Sequence, residues 1–187
     1  MTLPAVILAA GASRRLGRPK QLVELAGESL LRRTARAALA GCAPVLVVVG
    51  SRAEEMTANL AGLPVTIVGN GAWAEGMASS IRAGVAALAA GTPGVLFLVC
   101  DQIAVDGALV GRLLAAWREH PDAVIACGYS ETRGTPSVFP ARSFPRLLAL
   151  QGDRGARGLL LGEDVVVVPF PEGAVDVDYP EDLPAAD

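Results

Sequence analysis

A glycine-rich loop crowded with cations follows the first apolar segment of the chain. It reads LAAGASRRLGRPK, from residue 8 to residue 20, and it ends on a lysine. Gly11 and Gly17 allow tight turns that bring backbone N–H groups close to a ligand, and such donors beside cationic side chains suit a polyphosphate. The spacing G-x5-G-x2-K, with Gln21 after the lysine, matches neither a P-loop nor the dinucleotide fingerprint. The alternative is an ordinary loop between a strand and a helix, with solvated arginines.

Lys20, the last residue of this loop, is the only lysine among the 16 basic residues of the chain. Arginine therefore supplies every other basic side chain. A lone lysine in a glycine-rich loop indicates a task for a compact, flexible ammonium group, which a planar guanidinium performs less well. The alternative is that one surface lysine has survived by chance.

Composition narrows the class of protein. The chain has 187 residues, a formal net charge of −3 and 52% hydrophobic residues. These values predict a single folded domain over residues 1–187 and argue against a nucleic-acid binder or a basic membrane-surface protein. The apolar runs are too short to span a bilayer, and the first residues carry no charged leader. We therefore expect a cytoplasmic protein with neither nucleic-acid nor membrane partners.

The cysteines and the single histidine exclude two kinds of site. Cys42, Cys100 and Cys127 are widely spaced, without a C-x-x-C pair, and are expected to be small buried apolar residues. His120 precedes a proline near a predicted helix end, where a surface cap is its simplest role. A Ser-His-Asp triad or a histidine-rich metal site is therefore hard to build from this chain.

Short β-branched runs alternate with helical patterns along the chain. Ser29 is suited to cap the helix that follows it, and Gly41 lies just past the end of that helix. Ile81, Val85 and Leu88 form one apolar face of a later helix. The predicted strands cover residues 5–10, 44–50, 64–69, 94–100, 122–127 and 164–170, and the predicted helices cover residues 29–40, 52–61, 76–90, 107–118, 141–150 and 154–161.

This alternation predicts an α/β fold: a mostly parallel, doubly wound sheet with helices on both faces, which is a three-layer α/β/α sandwich. Ligands of such sheets bind outside the carboxyl ends of the strands. The loops that start at Ala9, Gly50, Gly69, Asp101 and Cys127 are therefore expected to surround the site. Asp101 ends an apolar strand at this edge, and the alternative interpretation makes it the N-cap of the next helix.

The opening loop resembles the signature L-A-A-G-x-S-x-R-M-G-x-x-K of the MobA-like nucleotidyltransferases, with Leu16 in place of methionine. The resemblance implies a Rossmann-like nucleotidyltransferase fold. It also implies that Arg15 and Lys20 contact phosphate and that Gly11 to Ser13 supply backbone donors. The residues that the resemblance assigns to nucleotide binding are Leu8, Ala9, Ala10, Gly11, Ser13, Arg15, Lys20, Asn70, Gly76 and Ser80.

Further motifs resemble the molybdenum cofactor cytidylyltransferase branch of this family, in the same order along the chain. NGAWAEGMASSIRAGV (70–85) resembles N-x-x-W-x-x-G-M-x-x-S-I-x-x-G, and LVCDQIAVD (98–106) resembles L-x-x-D-Q-P, with Ile103 replacing proline. The later matches are RGTPSVF (133–139) to R-G-x-P, LQGDRGARGLL (150–160) to G-D-x-G-A-R, and VDVDYPEDL (175–183) to D-I-D-T-P-E-D, with Tyr179 replacing threonine.

The resemblance assigns Mg²⁺ to Asp101 and Asp178, and it makes Lys20, Arg15 and Asp101 the catalytic residues. Asp178 has an alternative interpretation as a turn acid, and Asp176 is a second candidate for its metal role. Hard cations such as Mg²⁺ bind through one or two carboxylates together with phosphate oxygens. The residues expected on the side of the second substrate are Arg133, Gly134, Asp153 and Arg157, although Asp153 has an alternative role as the cap of the helix that follows it.

The segment WAEGMASS opens a predicted helix at the same sheet edge. The N-terminus of that helix, with Gly76, Ser79 and Ser80, offers hydrogen-bond donors to an anion. The segment is equally consistent with a helix that is merely well capped. Asn70 precedes it and is expected near the ribose or the base of the nucleotide.

The resemblance implies transfer of CMP from CTP to the phosphate of molybdopterin, with release of pyrophosphate. Guanylyl-transferring relatives begin the loop with two adjacent glycines, whereas this chain has Ala10 before Gly11, and the extra methyl group favours a pyrimidine. The alternatives are a nucleotidyltransferase for a sugar or polyol phosphate and a non-catalytic carrier that escorts the cofactor to a molybdenum hydroxylase.

Overall fold

The structure, a computed structural model, describes residues 2–13, 16–162, 164–176 and 182. Its strands are β1 (Ala5–Leu8), β2 (Glu24–Leu25), β3 (Glu28–Ser29), β4 (Val45–Val49), β5 (Thr66–Gly69), β6 (Gly94–Val99), β7 (Val124–Tyr129), β8 (Thr132–Pro140) and β9 (Val165–Pro169). Its α-helices are α1 (Leu30–Leu39), α2 (Ala53–Asn59), α3 (Met77–Ala86), α4 (Gly107–Glu119), α5 (Phe144–Leu148) and α6 (Arg157–Leu160).

Seven of these strands form one sheet in the order β5-β4-β1-β6-β8-β7-β9. Neighbours from β5 to β6 are parallel, as are β7 and β9, whereas β8 runs antiparallel to both β6 and β7. In the register of the central pair, Ile7 lies beside Leu98. The predicted mostly parallel, doubly wound sheet is confirmed, with one antiparallel strand that the sequence did not indicate.

The antiparallel strand follows from a tight turn at Ser130 and Glu131. Both residues have positive φ values, of 46° and 58°, which two-residue hairpin turns require. A turn this short can only return the chain antiparallel to β7. Ser-Glu lacks the glycine or asparagine that usually marks such turns, so this hairpin could not be predicted from its turn residues.

Alternating side chains of the central strands reach the two faces of the sheet. Ala5 and Ile7 of β1 belong to the core cluster on one face, and Val6 belongs to the cluster on the other. Residues of α1, α2 and α4 complete the first cluster, and residues of α3, α5 and α6 complete the second. This alternation is the period of two expected of strands covered on both sides, and it gives the predicted three-layer sandwich.

The predicted N-cap residue begins helix α1, whereas other helices begin at residues that the sequence pattern did not single out. The Ser29 side chain caps α1 by accepting a hydrogen bond from the backbone N–H of Arg32, as predicted. Helix α4 is capped by Asp106, whose Oδ1 accepts from the N–H of Leu109 at 2.8 Å. The helix predicted over 141–150 is a 3₁₀ turn followed by the short α5, and the one predicted over 154–161 is reduced to α6.

A third, small apolar cluster joins the loops at the carboxyl edge of the sheet. It contains Leu16, Val23 and Leu30, with Leu25 and Ile103 packed against it. Leu16 belongs to the loop after β1, and Ile103 belongs to the loop after β6. Both residues differ from the family pattern, and they pack in the same cluster, which holds the two loops together.

Two predictions about single residues also have clear outcomes. Cys42, Cys100 and Cys127 are buried and free, as predicted, and His120 terminates α4 at an exposed position.

Within the ranges that the structure describes, none of the helices combines the length and the apolar character needed to cross a bilayer.

Candidate active site

A cavity of about 560 Å³ lies at the carboxyl ends of β1 and β6. The loop after β1 contributes Gly11, Ser13 and Lys20, and the loop after β6 contributes Asp101. The start of α3 and the segment before it contribute Trp73 and Met77. The cavity thus lies at the edge where parallel sheets bind ligands, and its volume is that of a small-molecule site.

Lys20 and Asp101 form an ion pair inside this cavity, between Lys20 Nζ and Asp101 Oδ2. The Lys20 side chain is 22% exposed and the Asp101 side chain is 17% exposed. Partial burial lowers the local dielectric, so this contact is stronger than a pair at the open surface. The pair fixes a cation and a carboxylate at one point of the cavity.

The second carboxylate oxygen of Asp101 is the distinctive feature of the site. Oδ1 is buried, and no residue in the described part of the chain donates a hydrogen bond to it. Because Asp106 caps α4, the alternative role of Asp101 as that helix cap does not hold. A buried carboxylate oxygen without a donor is an unusual arrangement that a bound cation would satisfy.

Gln21 braces the glycine-rich loop from beneath. The side chain is 2% exposed, and its Nε2 donates hydrogen bonds to the carbonyl oxygens of Ala9, at 3.0 Å, and Gly11, at 2.9 Å. Its Oε1 accepts a hydrogen bond from Ser13 Oγ at 3.3 Å. The buried amide therefore holds both ends of the turn that precedes Lys20. The motifs did not point to this bracing role of Gln21, because it depends on tertiary contacts.

Ser13 closes the same loop onto Lys20. Its backbone has a φ of 49°, and its Oγ accepts a hydrogen bond from the backbone N–H of Lys20 at 3.0 Å. This contact ties the start of the loop to its end, so that Lys20 is held where its side chain reaches Asp101.

The family model of the MobA-like NTP transferase domain matches residues 5–166, which is most of the chain. The chain belongs to the MobA-like NTP transferase family. The resemblance of the opening loop to this family is thereby confirmed, and by family and by fold the protein is a nucleotidyltransferase.

Individual relatives carry several activities. The chain is 38% identical over 165 residues to the nicotine blue oxidoreductase of Paenarthrobacter nicotinovorans, covering 83% of this chain and 79% of the relative. It is 30% identical over 192 residues to the molybdenum cofactor guanylyltransferase of Rhodobacter capsulatus, covering 100% of this chain and 96% of the relative. The activities of these two relatives differ, so similarity alone does not assign substrates to this MobA-like chain.

A solved structure matches the fold over nearly the full length. Rv0371c of Mycobacterium tuberculosis H37Rv, in complex with manganese, has a TM-score of 0.77 and is 26% identical, and the match covers 97% of this chain and 96% of that one. A protein with the fold of this MobA-like chain therefore binds a divalent metal.

Gly76, the N-cap of α3, is a further motif residue that lines the cavity. Gly76 has a φ of 109°, and a Cβ at this position would collide with Oδ1 of Asp153 and lie 2.9 Å from the carbonyl carbon of Gly152. The Gly152 oxygen accepts from the N–H of Ala78 at 3.0 Å. Asp153 thus lies against the start of α3 and lines the cavity, and Ala156 rather than Asp153 is the N-cap of α6.

Asn70 lies behind the cavity wall and is 6% exposed. Its Nδ2 donates to Ser79 Oγ at 2.9 Å and to Ser80 Oγ at 3.1 Å, and its Oδ1 accepts from the N–H of Ala72 at 3.0 Å. Ser80 lines the cavity, whereas Asn70 does not. The observed contacts make Asn70 a brace for the start of α3, and its expected position near the ribose or base has no support in this geometry.

Three of the four residues assigned to the second substrate lie away from the cavity lining. Arg133 donates to the carbonyl oxygen of Gly162 at 2.9 Å, beyond the end of α6, and Gly134 pairs with Cys127 across the β7–β8 hairpin. Arg157 begins α6 at an exposed position. Among the four, Asp153 is the one that the structure brings to the cavity with Lys20 and Asp101.

Arg15 and Asp178 lie outside the described residues. Asp176, the alternative to Asp178, forms an isolated antiparallel bridge with Gln102, next to Asp101. The Gln102 amide is buried, and its Nε2 donates to the Gly173 carbonyl oxygen at 3.1 Å. These contacts bring the segment from Gly173 to Asp176 to the Asp101 loop. In the sequence, Gln102 was marked only by the D-Q pair of its motif.

Tyr129 lies close to both Gln102 and Gly134. Its hydroxyl group lies against Gly134, where a Cβ would collide with it. Burial, with a smaller contribution from the Asp176 carboxylate, raises the pKa of Tyr129 above its usual value. The phenol therefore stays protonated at neutral pH and serves as a neutral hydrogen-bonding group.

Proposed function

We propose that this MobA-like enzyme transfers CMP from CTP to the phosphate of a molybdopterin-type acceptor and releases pyrophosphate, with Mg²⁺ as its metal. The single observation that carries the proposal is the Lys20–Asp101 pair in a cavity bordered by a glycine-rich loop, where Asp101 Oδ1 is buried and accepts no hydrogen bond from the described residues. Nucleotidyl transfer brings two anions together, so it needs a fixed cation and a carboxylate that holds a metal.

In the proposed reaction, an oxygen of the acceptor phosphate attacks the α-phosphorus of CTP and forms a new P–O bond. The bond from that phosphorus to the oxygen bridging to the β-phosphorus breaks, and pyrophosphate leaves with the electron pair. The chain performs no covalent step. Lys20 offsets negative charge on the phosphates, and the braced turn from Gly11 to Ser13 holds backbone donors in position, so that the reacting oxygens stay in line.

Asp101 would hold the metal together with Asp178, with Asp176 as the alternative second ligand. Asp101 fits this role because Lys20 occupies Oδ2 and leaves Oδ1 buried without a described donor. When bound, Mg²⁺ supplies neutralisation of the charge that grows on the phosphate oxygens. The manganese complex of the related Mycobacterium tuberculosis protein supports a divalent cation in this fold.

The preference for CTP rests on Ala10. This residue lines the cavity and is 3% exposed, and it packs beside Trp73 close to Gly50. A methyl group at this position reduces the space for a nucleobase, so a pyrimidine is favoured over a purine. The guanylyl-transferring relatives, whose loop begins with two adjacent glycines, provide the contrast.

A second candidate function is an oxidoreduction, which the 38% identity to the nicotine blue oxidoreductase favours. Such a reaction would release no pyrophosphate and would consume a reduced or an oxidised cosubstrate. The buried Asp101 Oδ1, which has no donor among the described residues, supports metal-assisted phosphate chemistry instead, because hydride transfer requires no carboxylate for a metal. The glycine-rich loop and Lys20 do not separate the two functions, since a nicotinamide cosubstrate also carries a diphosphate.

The test is an assay of pyrophosphate release with each of the four NTPs, with and without molybdopterin, and with Mg²⁺ or EDTA. The proposal predicts release that requires CTP, molybdopterin and Mg²⁺ together. Release with a sugar or polyol phosphate in place of molybdopterin would identify another nucleotidyltransferase. Nucleotide binding without release would identify a carrier, and turnover of a nicotinamide cosubstrate without release would support the oxidoreductase.

A further inference from the structure

Trp73 gives the cavity an aromatic wall. It begins a 3₁₀ turn, Trp73–Glu75, immediately before α3, and it is partly buried against the core cluster on that face of the sheet. The rest of the side chain lines the same cavity as Lys20 and Asp101. The cavity therefore combines a charged region, suited to phosphates, with a large flat apolar surface.

The position of Trp73 is fixed by Gly50, at the end of β4. A Cβ on Gly50 would lie 2.6 Å from Trp73 Cβ and 2.8 Å from Trp73 Cγ. The indole thus sits against bare backbone in a space that any other residue would fill. Close packing of this kind holds an aromatic side chain in one orientation and lowers the entropy lost when a ligand binds to it.

Met77 adds a second apolar side chain to the same wall. It is 45% exposed, which is high for a large apolar residue, and it lines the cavity. Its Sδ lies 2.7 Å from the position that a Cβ on Gly155 would take, so a second glycine makes room for it. An adaptable thioether beside an indole suits the edge or face of a flat ring.

We infer that Trp73, together with Met77, binds the flat heteroaromatic ring of a substrate by stacking. The inference rests on the proposed function, in which both substrates carry such a ring: the nucleobase of the NTP and the pterin of the acceptor. When the phosphates of a substrate bind near Lys20, its ring lies within the same cavity. Trp73 and Met77 provide an apolar surface there, against which the ring can pack. Trp73 is therefore a specificity-determining residue.

The two tryptophans of the chain allow a direct optical test. The other one, Trp117, is a core residue with 9% exposure, and its Nε1 has no hydrogen-bond partner in the described part of the chain. Trp117→Phe therefore loses no described hydrogen bond and leaves Trp73 as the single tryptophan, whose emission is separated from that of the two tyrosines by excitation at the red edge of the absorption band. This variant is titrated with CTP, with inorganic tripolyphosphate, which has no ring, and with pterin, and free tryptophan corrects for absorbed light.

Quenching by CTP that tripolyphosphate does not reproduce identifies the nucleobase as the stacked ring. Quenching by pterin identifies the ring of the acceptor. Unchanged Trp73 fluorescence with both CTP and pterin overturns the inference. This readout does not depend on turnover, so it decides the inference even if no pyrophosphate is released and the proposed function fails.

Steady-state kinetics of Trp73→Leu and Trp73→Phe provide the second arm. Loss of base–aromatic stacking is expected to raise the KM of the stacked substrate about 10-fold in Trp73→Leu, while kcat and the KM of the other substrate stay near the parent values. Trp73→Phe retains a flat ring and restores most of the lost affinity. Equal effects on both substrates, or unchanged KM values, would show that Trp73 only packs the loop.

Discussion

Lys20 Nζ contacts the Asp101 carboxylate across a separation of 81 residues in the chain, at the carboxyl ends of β1 and β6. The parallel pairing of these two central strands brings the loops that follow them to the same edge. The cation expected to meet phosphates and the carboxylate expected to hold a metal are thus positioned by one contact. A substitution that neutralises either residue changes the charge around its partner.

We expect Lys20→Arg to lower kcat by about 10²-fold, because a larger planar guanidinium cannot occupy the same point beside Asp101 without moving the phosphates by about 1 Å. The charge is kept, so the melting temperature should stay near that of the parent. Steady-state kinetics and a thermal melt of the same preparations measure both quantities. Arg18→Lys, at an exposed position of the same loop, is the matched control. Parent-like turnover of Lys20→Arg would make the lone lysine an accident of composition.

We expect CTP to bind more tightly than GTP, and Ala10→Gly to reduce that preference. The variant removes the buried methyl group at the cavity and creates, with Gly11, the two adjacent glycines of the guanylyl-transferring pattern. Isothermal titration with each nucleotide and magnesium measures the ratio of the two dissociation constants. Ala12→Gly in the same loop controls for added backbone flexibility. A ratio that favours GTP in the parent chain would contradict the pyrimidine assignment and leave the fold unaffected.

Much of the fold could be predicted from the sequence because its determinants are local. Ser29 stands directly before a helical pattern, and buried parallel strands appear as β-branched runs. Asp101 and Asp106 show the limit of local reasoning, since each lies ahead of the same helix and each was suited to cap it. The cap is Asp106 because Gly107 begins the helix, and helix starts are poorly determined by periodicity alone.

We expect Gln21→Met to destabilise the fold and weaken binding of the triphosphate together. The thioether fills the same space but leaves the carbonyl oxygens of Ala9 and Gly11 without the amide donor, which costs about 1–3 kcal/mol for a buried group. Chemical unfolding and nucleotide titration measure the two effects. Gln151→Met, at an exposed position, serves as the control. A Gln21→Met protein with unchanged stability would show that the loop does not need this brace.

We expect the free energy of unfolding to fall as the pH rises above about 9. Burial raises the pKa of the Cys42, Cys100 and Cys127 thiols from 9.0 to about 12. Between these values the unfolded chain loses protons that the folded chain keeps, so stability is fully present below pH 9 and is lost toward pH 12.

Urea unfolding of the parent and of Cys127→Ala at a series of pH values separates this effect from other titrations. Each thiol contributes a slope of about 1.4 kcal/mol per pH unit in this range, and the variant should lack one such contribution. Identical slopes for the two proteins would contradict the raised pKa of Cys127.

The parts of the site that the sequence did not reveal depend on tertiary contacts. Gln21 and Asn70 act through hydrogen bonds to residues that only the folded loops bring near, so the residue type at neither position disclosed a bracing role. Arg133 follows the motif pattern, yet its guanidinium donates to the carbonyl oxygens of Leu160, at the end of α6, and Gly162, just beyond it. Trp73 shows the same limit, because its place beside the cavity depends on the bare backbone of Gly50, which directly follows β4.

The most direct test of the central claim is the rate of pyrophosphate release by Asp101→Asn beside Asp106→Asn, with CTP, molybdopterin and a magnesium titration. Asparagine retains the shape of both side chains and caps a helix as well as aspartate does, so Asp106→Asn should turn over like the parent. The account predicts that Asp101→Asn lowers kcat by about 10²-fold or more and raises the magnesium requirement, with a much smaller loss of stability. Near-parent turnover of Asp101→Asn with an unchanged magnesium requirement would contradict it.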